Sequence, residues 1–77
     1  MRKKIHPIDA HLGVRCKEAR LTAKLRLIDV GKKLGVSHTQ IDHYENGVNR
    51  VSWATLIKLG KLYGKRLPWF FDGAPGF

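Results

Sequence analysis

The sequence predicts an all-α domain of four to five short helices. Three observations carry this. Apolar residues recur at three- and four-residue spacing, and no stretch alternates as a half-buried strand would. Ser37 and Ser52 each stand one residue ahead of such a stretch, where a hydroxyl can accept a hydrogen bond from an orphan backbone N–H. Gly35, Gly47 and Gly64 follow the ends of three of them, as C-terminal stops. A chain of 77 residues has room for one domain. We divide it into a basic N-terminal arm (1–7), the helical domain (8–71) and a short tail (72–77).

The first helix is expected from Ile8 to about Ala23, with Asp9 as its N-cap or as an early acid favoured by the helix dipole. Leu12, Cys16, Ala19 and Arg20 share one face at i, i+4, i+7 and i+8. The second helix fits Leu27 to Leu34, with Leu27, Val30, Gly31 and Leu34 inward. The third runs from His38 to about Asn46 behind the Ser37 cap, with Ile41 and Tyr44 inward. The fourth runs from the Ser52 cap to about Tyr63, with apolar positions at Trp53, Leu56, Ile57, Leu59, Gly60 and Tyr63. Pro68 can open one further turn through Trp69, Phe70 and Phe71.

The charge balance concerns partners. Fifteen Lys and Arg face six Asp and Glu, a formal net charge of +9, so a polyanion is the expected partner, nucleic acid ahead of anionic membrane. No apolar run approaches a membrane span. No apolar segment follows Met1-Arg2-Lys3-Lys4, so no secretory leader is expected. Cys16 is the lone cysteine; it cannot form an internal disulfide, it suits a cytoplasmic, nucleoid-associated setting, and its place on an apolar stripe makes it core filler. His6, His11, His38 and His43 show no metal-ligand spacing, and so few acids leave general acid–base catalysis few candidates. We expect no enzyme, metal or cofactor.

The informative stretch is Leu27 to Tyr44. Two helices joined tightly at roughly a right angle need a very small residue where they cross, met by Gly31. They need a left-handed residue in the turn, met by Gly35, and apolar plugs in the angle, met by Val30, Leu34, Val36, Ile41 and Tyr44. Together these make a helix-turn-helix of the second and third helices.

Gly31-Lys32-Lys33-Leu34-Gly35-Val36-Ser37, Gln40-Ile41 and Tyr44-Glu45-Asn46-Gly47 resemble the lambda-repressor-like (xenobiotic-response-element) family, over about Ile8 to Phe71. The ending Trp69-Phe70-Phe71-Asp72-Gly73-Ala74-Pro75 is similar to that of a subgroup of short bacterial regulators. The resemblance implies a DNA-binding domain whose third helix enters the major groove of double-stranded DNA. It places His38, Thr39 and His43 on base edges, with Gln40 and Asp42 as neighbours, and it implies a partly buried ion pair between Arg20 and Glu45. Arg26, Lys32, Lys33, Asn46, Asn49 and Arg50 are the expected phosphate contacts. The chain departs from the family at three positions: Lys24 stands where relatives carry Gly, and Arg26-Leu27 stand where they carry a Ser or Thr cap and a Gln.

The late aromatics Trp53, Trp69, Phe70 and Phe71 exceed what so small a core can bury and suggest a homodimer surface, or else a tail folded back on its own core. The function expected is a sequence-specific transcriptional regulator, a repressor or autoregulator, acting as a homodimer on an inverted repeat. The alternative is a protein-binding module on the same fold, an antitoxin or antiactivator with a regulatory protein partner.

Overall fold

The computed structural model describes residues 4–75. Met1, Arg2 and Lys3 of the expected arm, and Gly76 and Phe77 of the expected tail, lie outside the described residues. Among the described residues there are five helices and no strand: α1 (Pro7–Thr22), α2 (Leu27–Leu34), α3 (His38–Glu45), α4 (Trp53–Tyr63) and α5 (Leu67–Phe71).

α1 opens one residue earlier than its periodicity suggests. Pro7 occupies the first helical position, where its missing N–H costs nothing. The cap is His6, whose Nδ1 accepts from the Ile8 N–H at 3.2 Å. Asp9 is therefore not the cap; it lies in the first turn and pairs with Arg50. Ser37 and Ser52 cap α3 and α4 as expected, accepting from Gln40 N–H at 3.1 Å and Thr55 N–H at 3.2 Å.

The core forms where the inward stripes meet. Leu12, Cys16 and Ala19 of α1 pack with Val30, Ile41, Val51, Leu56, Leu59, Tyr63 and Phe70. Burial pushes the Cys16 thiol up to about 12, with the Glu45 charge adding to the shift. At neutral pH it is a protonated filler with no thiolate to react.

Two close backbone crossings fix the frame. A Cβ on Gly31 would lie 2.7 Å from the Val36 carbonyl oxygen, so α2 can meet the turn into α3 only without a side chain there. Gly13 plays the same part between α1 and α3, where a Cβ would collide with the carbonyl oxygens of Tyr44 and Glu45. The helix interior disfavours glycine by ~1 kcal/mol, so its presence mid-helix signals such a crossing.

Two expectations need correction, and the start of α2 has a support that its missing Ser or Thr cap does not suggest. Val36 does not plug the angle between α2 and α3; it is 39% exposed, because the left-handed Gly35 turns the chain so that its side chain faces out. α2 is not left without support at its start: the Asp29 carboxylate accepts from the Arg26 N–H at 2.8 Å and also holds its guanidinium. This is the returning half of a capping box. Phe70 has no surface to offer a partner, because α5 turns it fully into the core at 0% exposure.

Lys24 adopts φ 59°, the single non-glycine residue with positive φ among the described residues. A side chain in that region costs ~1–2 kcal/mol. Lys24→Gly is therefore expected to stabilise the domain by about 1 kcal/mol, after allowing for glycine's larger unfolded-state entropy. Thermal unfolding checks this; a midpoint at or below that of the parent chain would refute it.

Candidate nucleic-acid interface

The third helix divides its residues sharply. Ile41 and Glu45 are buried, while His38, Thr39 and Asp42 are exposed and Gln40, His43 and Tyr44 are half-buried. The buried side is held by an ion pair that reaches three segments. Arg20 Nε and Nη2 donate to Glu45 Oε2 and Oε1 at 2.7 and 3.0 Å, a bidentate fork. Its Nη1 donates to the Leu25 carbonyl at 2.9 Å in the turn before α2. The hydrogen bond to Glu45 holds the Arg20 guanidinium above its ordinary range, against the opposing effect of burial. Tyr63 lies in the same neighbourhood, where burial and the Glu45 charge push its phenol upward.

The outer side of α3 carries the residues expected to read bases. Ser37 fixes the start of the helix, leaving His38 and Thr39 at its exposed N-terminal end. Gln40 Oε1 accepts from Asn49 Nδ2 at 3.3 Å, which links the helix to the loop behind it. Asn46 Nδ2 donates to the Asp42 carbonyl at 2.9 Å and closes the last turn.

The four basic residues among the six expected phosphate contacts fall into two groups. Lys32 and Lys33 stand exposed in the last turn of α2, where cations also complement the helix dipole. Arg26 and Arg50 are already paired. Arg26 forks onto Asp29 at 3.1 and 3.0 Å, and Arg50 forks onto Asp9 at 2.9 and 3.2 Å. Arg26 holds the Asp29 carboxyl below the usual carboxylate range. Both guanidinium groups are largely exposed, 78% for Arg26 and 66% for Arg50. Exposed pairs of this kind contribute little to stability, so each arginine can exchange its carboxylate for a phosphate at small cost.

Arg15 has a role that no local pattern marks. Its Nε and Nη2 donate to the Trp69 carbonyl at 3.0 and 2.6 Å, and its guanidinium lies 3.6 Å from the centre of the Trp69 ring. Lys65 Nζ approaches the same ring at 4.7 Å. Trp69 is thus half-buried beneath cations of its own chain. Trp53 is 65% exposed and meets Phe71 at 5.6 Å between ring centres.

A helix-turn-helix family model matches residues 17–70, which spans α2, α3 and most of the frame around them. The chain belongs to the helix-turn-helix family, of the lambda-repressor-like type. Its named relatives are transcriptional regulators. An uncharacterized helix-turn-helix-type transcriptional regulator of Sinorhizobium medicae is 35% identical over 75 residues, covering 97% of this chain and 54% of the relative. An uncharacterized transcriptional regulator in the ATPase CF(0) region of Rhodospirillum rubrum is 35% identical over 68 residues, covering 88% and 63%. The chain thus spans between half and two thirds of the length of these two relatives.

The fold of this helix-turn-helix chain is that of the clp gene regulator ClgR from C. glutamicum, with a TM-score of 0.80 and 20% identity over 90% of each chain. It also matches the restriction-modification controller protein C.AhdI from Aeromonas hydrophila, with a TM-score of 0.74 and 21% identity over 80% of this chain and 94% of that one. No helix among the described residues is long and apolar enough to cross a membrane.

Proposed function

We propose that this chain is a sequence-specific double-stranded DNA-binding transcriptional regulator, a repressor or autoregulator, that acts as a homodimer on an inverted repeat. The observation that carries this is the division of α3. One side is bolted to α1 through Glu45 and Ile41, and the other offers His38, Thr39 and His43 beside the cations of α2 and the following loop. His38 and His43 can donate or accept at base edges, Thr39 brings a hydroxyl and a methyl for thymine, and Gln40 suits adenine. Asp42 suits a cytosine amino group, the base-edge donor that a carboxylate usually meets. Lys32, Lys33, Asn46 and Asn49 grip phosphate, joined by Arg26 and Arg50 once they leave Asp29 and Asp9. The solved neighbours with this fold include a restriction-modification controller and a DNA-binding domain of BldD, which agrees with the proposal.

Two copies fit an inverted repeat. The described residues extend 30 × 29 × 20 Å and present one recognition helix. Successive major grooves lie ~34 Å apart, so two grooves on one face of DNA need two chains. The proposed contact between copies centres on Trp53 and Phe71, with Ile57 beside Trp53 on α4 at 42% exposure and Trp69 at its edge.

Selection of bound duplexes from a random pool tests the proposal. We expect an inverted-repeat motif. Replacing His38, Thr39 and His43 by alanine is expected to erase the motif, each good base pairing being worth ~1–3 kcal/mol of discrimination. Lys32→Ala and Lys33→Ala should weaken all sequences alike and shallow the salt dependence by about one unit each. Binding with no preferred sequence and no salt dependence would overturn it.

A further inference from the structure

A second surface borders the proposed DNA contacts and lies apart from the proposed contact between copies. A shallow groove of about 590 Å³ runs between the end of α1, the turn that follows it and the start of α2, reaching the first residue of α3. Its floor is aliphatic, formed by Leu21, Leu25 and Ile28; Leu21 is 57% exposed and Ile28 43% exposed. Its rim is polar, with the cations Lys24 and Arg26 and the imidazole of His38. Among the described residues no carboxylate lines it. Asp29 lies just beyond and is occupied by Arg26.

Exposed leucine and isoleucine side by side on so basic a chain are costly to leave in water and do nothing for phosphate binding. The floor asks for an apolar anchor, and the rim asks for carboxylates around it. Lys24, with φ 59°, lies in the turn that borders this floor.

We propose that this groove docks an acidic, amphipathic segment of a partner protein, whose apolar side chains enter between Leu21, Leu25 and Ile28 and whose carboxylates pair with Lys24 and, by displacing Asp29, with Arg26. His38 and Arg26 belong both to this groove and to the proposed DNA contacts, so the segment and the duplex exclude one another. The partner therefore releases the regulator from DNA. The exclusion, but not the docking, rests on the DNA-binding proposal above.

The test uses the whole chain and a displayed library of random short peptides. Enriched peptides are expected to combine Leu, Ile, Phe or Trp with flanking Asp or Glu. A synthetic copy of the leading peptide should bind the Leu21→Ser/Ile28→Ser variant about tenfold more weakly, equivalent to ~1.4 kcal/mol. Lys24→Glu should weaken it similarly while leaving a neutral control peptide unaffected. The duplex chosen by random-pool selection should displace the peptide from the parent chain. Both serines replace exposed side chains, and circular dichroism confirms that the fold is kept.

Failure to enrich peptides, or equal binding to the serine variant, would overturn the docking site. Simultaneous binding of peptide and duplex would overturn the exclusion. A fall in sedimenting mass of the serine variant would assign the groove to a second copy of this chain, and so overturn the proposal. Failure of the DNA reading shows separately, as an absent motif with peptide binding intact.

Discussion

Phe70→Ala is expected to destabilise the domain strongly rather than to separate a dimer. Phe70 is the largest side chain with no exposure, and it sits on a helix of five residues that has little stability of its own. α5 stays in place because Phe70 fills the core, because Trp69 meets Phe70 edge-on at 5.2 Å, and because Arg15 holds the Trp69 carbonyl. Truncating a buried phenylalanine to alanine costs ~3–5 kcal/mol. A domain of this size has roughly 4–12 kcal/mol in total, on the usual scale per residue. Urea denaturation should therefore show a large drop in midpoint, with α5 released first under limited proteolysis. Trp53→Ala provides the contrast. Its indole is mostly in water, so stability should hold within about 0.5 kcal/mol while self-association weakens. If Phe70→Ala kept the parent midpoint and reduced only the sedimenting mass, the core assignment of Phe70 would fail.

Glu45→Ala is expected to cost a comparable ~3–5 kcal/mol, because it strands a buried guanidinium. The side chains of Arg20 and Glu45 are 9% and 3% exposed, and the pair joins α1, α3 and the turn before α2. Removing the carboxylate leaves the Nε and Nη2 donors of Arg20 without their partner. At ~4–8 °C per kcal/mol for a domain of this size, the melting temperature should fall on the order of 20 °C. The paired replacement Arg20→Met/Glu45→Leu should recover much of that drop, since an apolar pair of similar volume avoids the stranded charge. Weakened DNA affinity in Glu45→Ala should then track the unfolded fraction and recover in the double variant. An unchanged melting temperature in the single variant would show that the ion pair carries no such weight.

Much of the frame is legible in the sequence because each element announces its own boundaries. Ser37 and Ser52 cap where a cap is needed, and Gly35 and Gly64 take left-handed conformations just past helix ends. Gly31 is legible because a tight turn between two helices demands a small residue. Gly13 is harder to read, although a glycine inside a helix is itself a signal of close approach; nothing local says which backbone comes near. Phe70 misleads because Trp69, Phe70 and Phe71 are adjacent. A helix turns them to different sides, and only the tertiary fold decides which one enters the core. Val36 misleads because one left-handed residue redirects the chain. The pairing of Arg50 with Asp9 spans 41 positions, and no local pattern encodes it.

The helices also separate what must be kept from what can change. On α3, the residues that hold the fold, Ile41 and Glu45, face the opposite way from His38, Thr39 and Asp42. Ser37 caps the helix through its own hydroxyl and makes no demand on the identity of the two residues that follow. Substitution at His38 or Thr39 therefore carries almost no penalty in stability, since neither fills a cavity nor balances a charge. On the proposed reading, base preference can then change by single steps that keep the fold. In duplicated copies of such a gene, the outer face of α3 is free to diverge long before the scaffold does.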